Sequence, residues 1–120
     1  MSWTPEELDR FGGADEVRIT ARREDGTPAT TVPIWIVRVG QELFVRSWKG
    51  ERGAWYRHAR LTGRGWIEAE DAQKEVALTA TAEHDGDVDS AFLDKYGRDQ
   101  YAHEMVDEPA HGTTMRVDPV

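Results

Sequence analysis

Seven basic side chains fall within residues 38–64 of this 120-residue sequence: Arg38, Arg46, Lys49, Arg52, Arg57, Arg60 and Arg64, against Glu42 and Glu51 alone. The whole chain carries a net charge of −8, so this segment is a cationic island in an acidic protein. Arg46, Ser47, Trp48 and Lys49 close a strand-like run. A loop, Lys49-Gly50-Glu51-Arg52-Gly53, follows, and then Arg57 and Arg60 share one face of an expected helix. A strand end, a glycine-containing loop and a first helical turn offer cations and free backbone N–H groups, the chemistry of a phosphate or carboxylate site. The competing reading pairs these arginines with the acidic second half, within one subunit or across a dimer. Residues 1–60 hold ten basic and nine acidic side chains, and residues 61–120 hold five and fourteen.

Five tryptophans are many for this length, and Trp35, Trp48 and Trp55 lie in or beside the island. Aromatic walls next to cations suit a flat, anionic, conjugated ligand whose ring stacks while its tail meets arginine. Trp35 could equally be core, and Tyr56 could donate a proton or simply pack. Other chemistries find less support. Gly63-Arg-Gly65 lacks the third glycine of a dinucleotide loop and stands between a helix and a strand, the wrong order. His103-Glu104 has Asp107 where a zinc-protease helix needs a second histidine, and His58, His84 and His111 show no ligand spacing, so no metal site is expected. Ser47 has no flanking glycines of a nucleophile elbow. Carboxylate pairs such as Glu68 and Glu70 read as solvated faces, and no catalytic residue is assigned.

The elements that must position the island follow from periodicity. Thr4-Pro5-Glu6-Glu7 is a capping box opening a short helix through Leu8 and Phe11. From Glu16 the period becomes two, Val17, Ile19 and Ala21 alternating with polar residues, up to an Asp25-Gly26 turn. Residues 32–39 are apolar on both parities and predict one central strand, which would make a three-strand meander with its neighbours. Residues 54–61 predict a helix stopped at Gly63. A hairpin is expected around Asp71-Ala72, a helix capped by Asp87 with the stripe Val88, Phe92 and Tyr96, and a last strand over residues 113–117. About six strands and three short helices favour a mainly β fold, a small antiparallel barrel with helices at its rim, in one domain over residues 1–120.

With no cysteine, disulfides, thiolate metal sites and a cysteine nucleophile are excluded. The acidic balance disfavours nonspecific binding to nucleic acid or an anionic membrane surface. An acidic start without an apolar run and the lack of a membrane-spanning stretch lead to the expectation of a cytoplasmic protein.

Thr20-Ala-Arg-Arg-Glu-Asp-Gly26-Thr-Pro28, then Val32-Pro-Ile-Trp35, then Gly40-Gln-Glu-Leu43-Phe-Val45 resembles the opening of the flavin-binding split-barrel superfamily. That superfamily includes the pyridoxamine phosphate oxidases and the deazaflavin-dependent nitroreductases. Ser47-Trp-Lys-Gly50 and Ala54-Trp-Tyr-Arg57 are similar to the deazaflavin branch, and the whole chain resembles a family of small uncharacterised bacterial proteins near it. The resemblance implies a split β-barrel, a homodimer with the cofactor between subunits, and FMN or a deazaflavin coenzyme as that cofactor. It puts Arg46, Ser47, Trp48 and Lys49 at a strand-end phosphate site, Trp55 and Arg57 at the helix start, and Pro33, Ile34 and Trp35 beside the ring. Where the deazaflavin branch has Arg-Lys-Ser-Gly this chain has Arg23-Glu24-Asp25-Gly26, and Ala29 stands where that branch has arginine. Both changes disfavour a highly charged tail. The function implied is hydride transfer to a small substrate. The alternatives are a noncatalytic split-barrel dimer that binds another anionic small molecule or no ligand, and an interaction domain using the acidic residues 83–94.

Overall fold

Seven strands form one antiparallel sheet in the order β2-β1-β5-β6-β7-β4-β3 in the computed structural model, which describes residues 2–120. The strands are β1 (Val17–Ala21), β2 (Val32–Ile34), β3 (Ile36–Val39), β4 (Glu42–Val45), β5 (Arg64–Ala69), β6 (Ala72–Ala80) and β7 (Met115–Pro119). β2 and β3 stand at opposite ends of this order, yet one residue, Trp35, separates them in the chain. One residue is too short to reverse the chain, so β2 and β3 run end to end, the first paired with β1 and the second with β4. This joins the two ends of the order, and the sheet curls into a nearly closed barrel with its seam at Trp35. The fold is a split β-barrel, as the motifs implied.

Residues 32–39 are therefore not one central strand but two edge strands, and the expected meander resolves into a β1–β2 and a β3–β4 pair. Pro33 lies within β2; without an N–H it belongs on a sheet edge. The apolar character of both faces has a different cause. Ile36 points into the barrel with Leu43 and Val45, while Val37 and Phe44 on the outer face lie under a helix. That helix, α3 (Asp85–Tyr96), covers them with Val88, Phe92 and Tyr96, the expected stripe. Its N-cap is His84, without a side-chain bond, and not Asp87.

The barrel interior is filled by alternating strand residues such as Val17, Ile19, Ile67, Val76, Leu78 and Val117. Helix α1 (Pro5–Gly12) adds Leu8 and Phe11, and its capping box is complete: the Glu7 N–H donates to Thr4 Oγ1 at 3.2 Å and the Thr4 N–H to Glu7 Oε1 at 2.9 Å. Helix α2 (Ala54–Thr62) adds Trp55, Tyr56 and Ala59, and ends at Gly63, whose φ of +68° is the left-handed conformation of a helix stop. A fourth helix, α4 (Ala102–Val106), was not anticipated, and short 3₁₀ turns cover Gly50–Arg52 and His111–Thr113. The β5–β6 turn falls at Glu70 and Asp71, one residue early, and β7 begins at Met115 and not at 113. β7 pairs with β6 on one side and β4 on the other, and so joins the two halves of the sheet.

Candidate functional site

Beside the seam lies a cavity of about 640 Å³, within the roughly 300–1,000 Å³ usual for small-molecule sites. Of the nine residues singled out in the sequence, eight line it: Pro33, Ile34, Trp35, Arg46, Ser47, Trp48, Lys49 and Trp55. Arg57 does not; it is exposed on α2 and turned away from the walls. Glu16, Val32, Gly53, Ala54, Tyr101 and Met105 complete the lining. Tyr101 and Met105 escaped the sequence reading because they come with the unanticipated α4. The walls are mostly apolar and present three indoles and one phenol.

The two outer indoles differ in how they are held. Trp35 stacks on Tyr96 at the end of α3, with centroids 4.0 Å apart and planes within 3°. The Tyr96 hydroxyl donates to the Asp15 carbonyl at 2.7 Å and accepts from the Ile36 N–H at 3.3 Å. Lys95 next to it donates to the Gly12 and Ile36 carbonyls at 2.9 and 2.7 Å. Burial pushes the Lys95 ammonium down to about 8, with Asp15 opposing that shift, and burial also raises the Tyr96 phenol well above its ordinary value. Trp48 is 53% exposed; its indole N–H donates to Glu104 Oε1 at 3.0 Å and its ring meets Tyr101 edge-on at 6.3 Å.

Between them runs the turn that feeds α2. The Ser47 N–H donates to Thr113 Oγ1 and its hydroxyl to the Gly50 carbonyl, both at 2.8 Å. A Cβ on Gly53 would collide with Ser47 Oγ and displace that hydroxyl from the Gly50 carbonyl. Gly53 is also the N-cap of α2 and has no side chain to cap with, which leaves the first-turn N–H groups, from Ala54 onward, without intrahelical partners.

Arg46 has a different place from the one its charge suggested. Its side chain has no exposed surface and lies over the Phe92 ring at 5.5 Å. Its guanidinium donates to Asp89 Oδ1 at 2.5 Å and the Met105 carbonyl at 2.9 Å through one nitrogen, to Thr114 Oγ1 at 2.8 Å through Nε, and to the Asp85 carbonyl at 3.4 Å through the other nitrogen. The pairing of island arginines with the acidic half thus holds for Arg46. Arg38 instead meets Asp9 at 3.6 Å, and Arg60 bonds the Tyr56 hydroxyl at 3.2 Å. Among the described residues no three His, Asp or Glu side chains gather as metal ligands, and no helix is long and apolar enough to cross a membrane.

Residues 7–117 match the model of a bacterial family, DUF2255, described as an uncharacterized protein conserved in bacteria. The chain belongs to this family. No curated protein matches this DUF2255 chain by sequence. Among solved structures it is similar to HutZ, the heme storage protein from Vibrio cholerae, with a TM-score of 0.70 and 11% identity over 100% of this chain and 92% of that one. It is similar to an F420 reductase at a TM-score of 0.57 and 17% identity, covering 98% and 96% of the two chains. A pyridoxamine 5′-phosphate oxidase-related, FMN-binding protein from Nostoc punctiforme follows the same fold, with a TM-score of 0.52 and 12% identity over 100% and 84%. The DUF2255 barrel is thus a fold shared with proteins that bind flavin, F420 or heme.

Proposed function

We propose that this DUF2255 protein is a flavin-type cofactor-binding domain, taking FMN or a deazaflavin coenzyme, that acts as a homodimeric oxidoreductase on a small substrate. The observation that carries this reading is the aromatic cavity at the barrel seam. Its chemistry fits the group: a flat conjugated ring would lie against Pro33, Ile34 and Trp35, and a phosphate near Ser47, Trp48, Lys49 and the first turn of α2.

A bound flavin or deazaflavin would supply hydride transfer, while the protein binds the ring, orients it and limits its contact with water. Trp48 and Tyr101 are exposed at the mouth, 53% and 47%, where a second copy of the chain would complete the wall. Titrating the purified protein with FMN and with the deazaflavin coenzyme, followed by absorbance and fluorescence, is the test. Saturable binding below some tens of micromolar, about −6 kcal/mol, is expected. No binding of either overturns the reading and leaves a second one, a noncatalytic split-barrel dimer holding another anionic small molecule or none.

A further inference from the structure

Arg46 and Lys49 stand three residues apart on the same cavity wall, but only Lys49 presents its charge. Arg46 reaches the wall through its backbone, since its side chain has no exposed surface. Behind the wall, Asp89 Oδ1 lies 2.5 Å from one guanidinium nitrogen and Asp85 Oδ1 3.6 Å from the other. Two carboxylates face one guanidinium, so this group as a whole does not project positive charge into the cavity. A buried arginine deprived of such a partner would be strongly disfavoured, which keeps the pair closed. His111 Nε2 lies 3.4 Å from the second oxygen of Asp89 and holds that carboxylate from its far side. The remaining charged wall residue is Glu16, of opposite sign to Lys49.

We infer that Asp89, from outside the cavity, sets its charge selectivity. By neutralising Arg46 it leaves Lys49 as the one unpaired cation on the walls among the described residues. The site therefore takes a flat aromatic ligand with a single phosphate and discriminates against tails carrying several negative charges. This rests on the flavin reading above and narrows it from FMN or deazaflavin to FMN. Asp89 is a positioning residue, since it acts on the ligand only through Arg46.

The test measures dissociation constants of riboflavin, FMN and a polyglutamyl deazaflavin with the wild-type protein and with Asp89→Asn. In the wild type FMN binds tighter than riboflavin and the deazaflavin, with each difference about tenfold, the equivalent of about 1.4 kcal/mol. Asp89→Asn keeps a hydrogen-bond acceptor near Arg46 but removes the charge. It raises the preference for FMN over riboflavin about a further tenfold, by the same conversion. The deazaflavin binding the wild type more tightly than FMN overturns the inference and leaves the flavin reading standing. An unchanged FMN-to-riboflavin ratio in a folded Asp89→Asn does the same. Failure of all three ligands to bind overturns the flavin reading itself. If the variant does not fold, the wild-type series alone decides.

Discussion

On the α3 side of the cavity, Trp35 lies flat on Tyr96, whose hydroxyl is tied to the backbone at Asp15 and Ile36, and Arg46 has partners on every guanidinium nitrogen. On the α4 side, Trp48 is half exposed and held by one hydrogen bond to Glu104, and Lys49 faces solvent with no ion pair among the described residues. Both sides are made of an indole and a cation. The α3 side spends those groups on internal bonds and so acts as scaffold, whereas the α4 side leaves them available to a ligand. Residue type therefore says little about role here; the number of partners already in place says more.

The largest test of this contrast is Arg46→Met. It removes the charge from a buried pair and leaves Thr114, Asp89 and the Met105 carbonyl short of a donor, so unfolding in denaturant should show a loss of about 3 kcal/mol. A loss under about 1 kcal/mol, the scale of an exposed pair, would erase the difference between the two sides. A smaller effect is expected from Lys95. Its folded pKa of about 8 lies below the 10.5 of the free side chain, so between these values the unfolded chain binds more protons. Stability from this group therefore rises as the pH goes from about 8 towards 10, beyond which Tyr96 begins to ionise in the unfolded chain and opposes it. Denaturation midpoints across that range should climb in the wild type and climb less in Lys95→Met. The smallest effect on stability is at Trp48→Ala, within about 0.5 kcal/mol, as for other exposed sites. The same substitution should weaken FMN binding about fivefold, the worth of one aromatic stacking contact. A large loss of stability with unchanged binding would reverse the assignment of the two sides.

Much of this was legible in the residues. The capping box at Thr4, the stripe of Val88, Phe92 and Tyr96, and the glycine stop at Gly63 are local signals, and each element formed where its signal stands. The strand over residues 32–39 misled because two apolar faces can arise from a covering helix as well as from a central position in a sheet. Pro33 was the available warning, since proline is kept off central strands. Eight of the nine candidate residues converge because they flank the break between β2 and β3 at Trp35 and the turn over residues 47–53, both of which the motifs marked. The state of Arg46 was not readable. Its partners, Asp85, Asp89, Met105 and Thr114, are 39 to 68 residues away, and nothing local announces that contact. The substituted cations at residues 23–29 pointed to a weakly cationic site, but that loop is not part of the cavity wall. The carboxylates on α3 supply the physical reason instead.

The placement of β7 bears on how the molecule is made. During synthesis, β1, β2, β5 and β6 can assemble into one ribbon and β3 with β4 into another, yet the strand that stitches them together, residues 115–119, emerges after all the rest. Thr113 and Thr114, just before it, bind Ser47 and Arg46. Until that segment leaves the ribosome, β6 and β4 each lack the neighbour they share, so the pairing that joins the two ribbons follows every other strand in the order of synthesis.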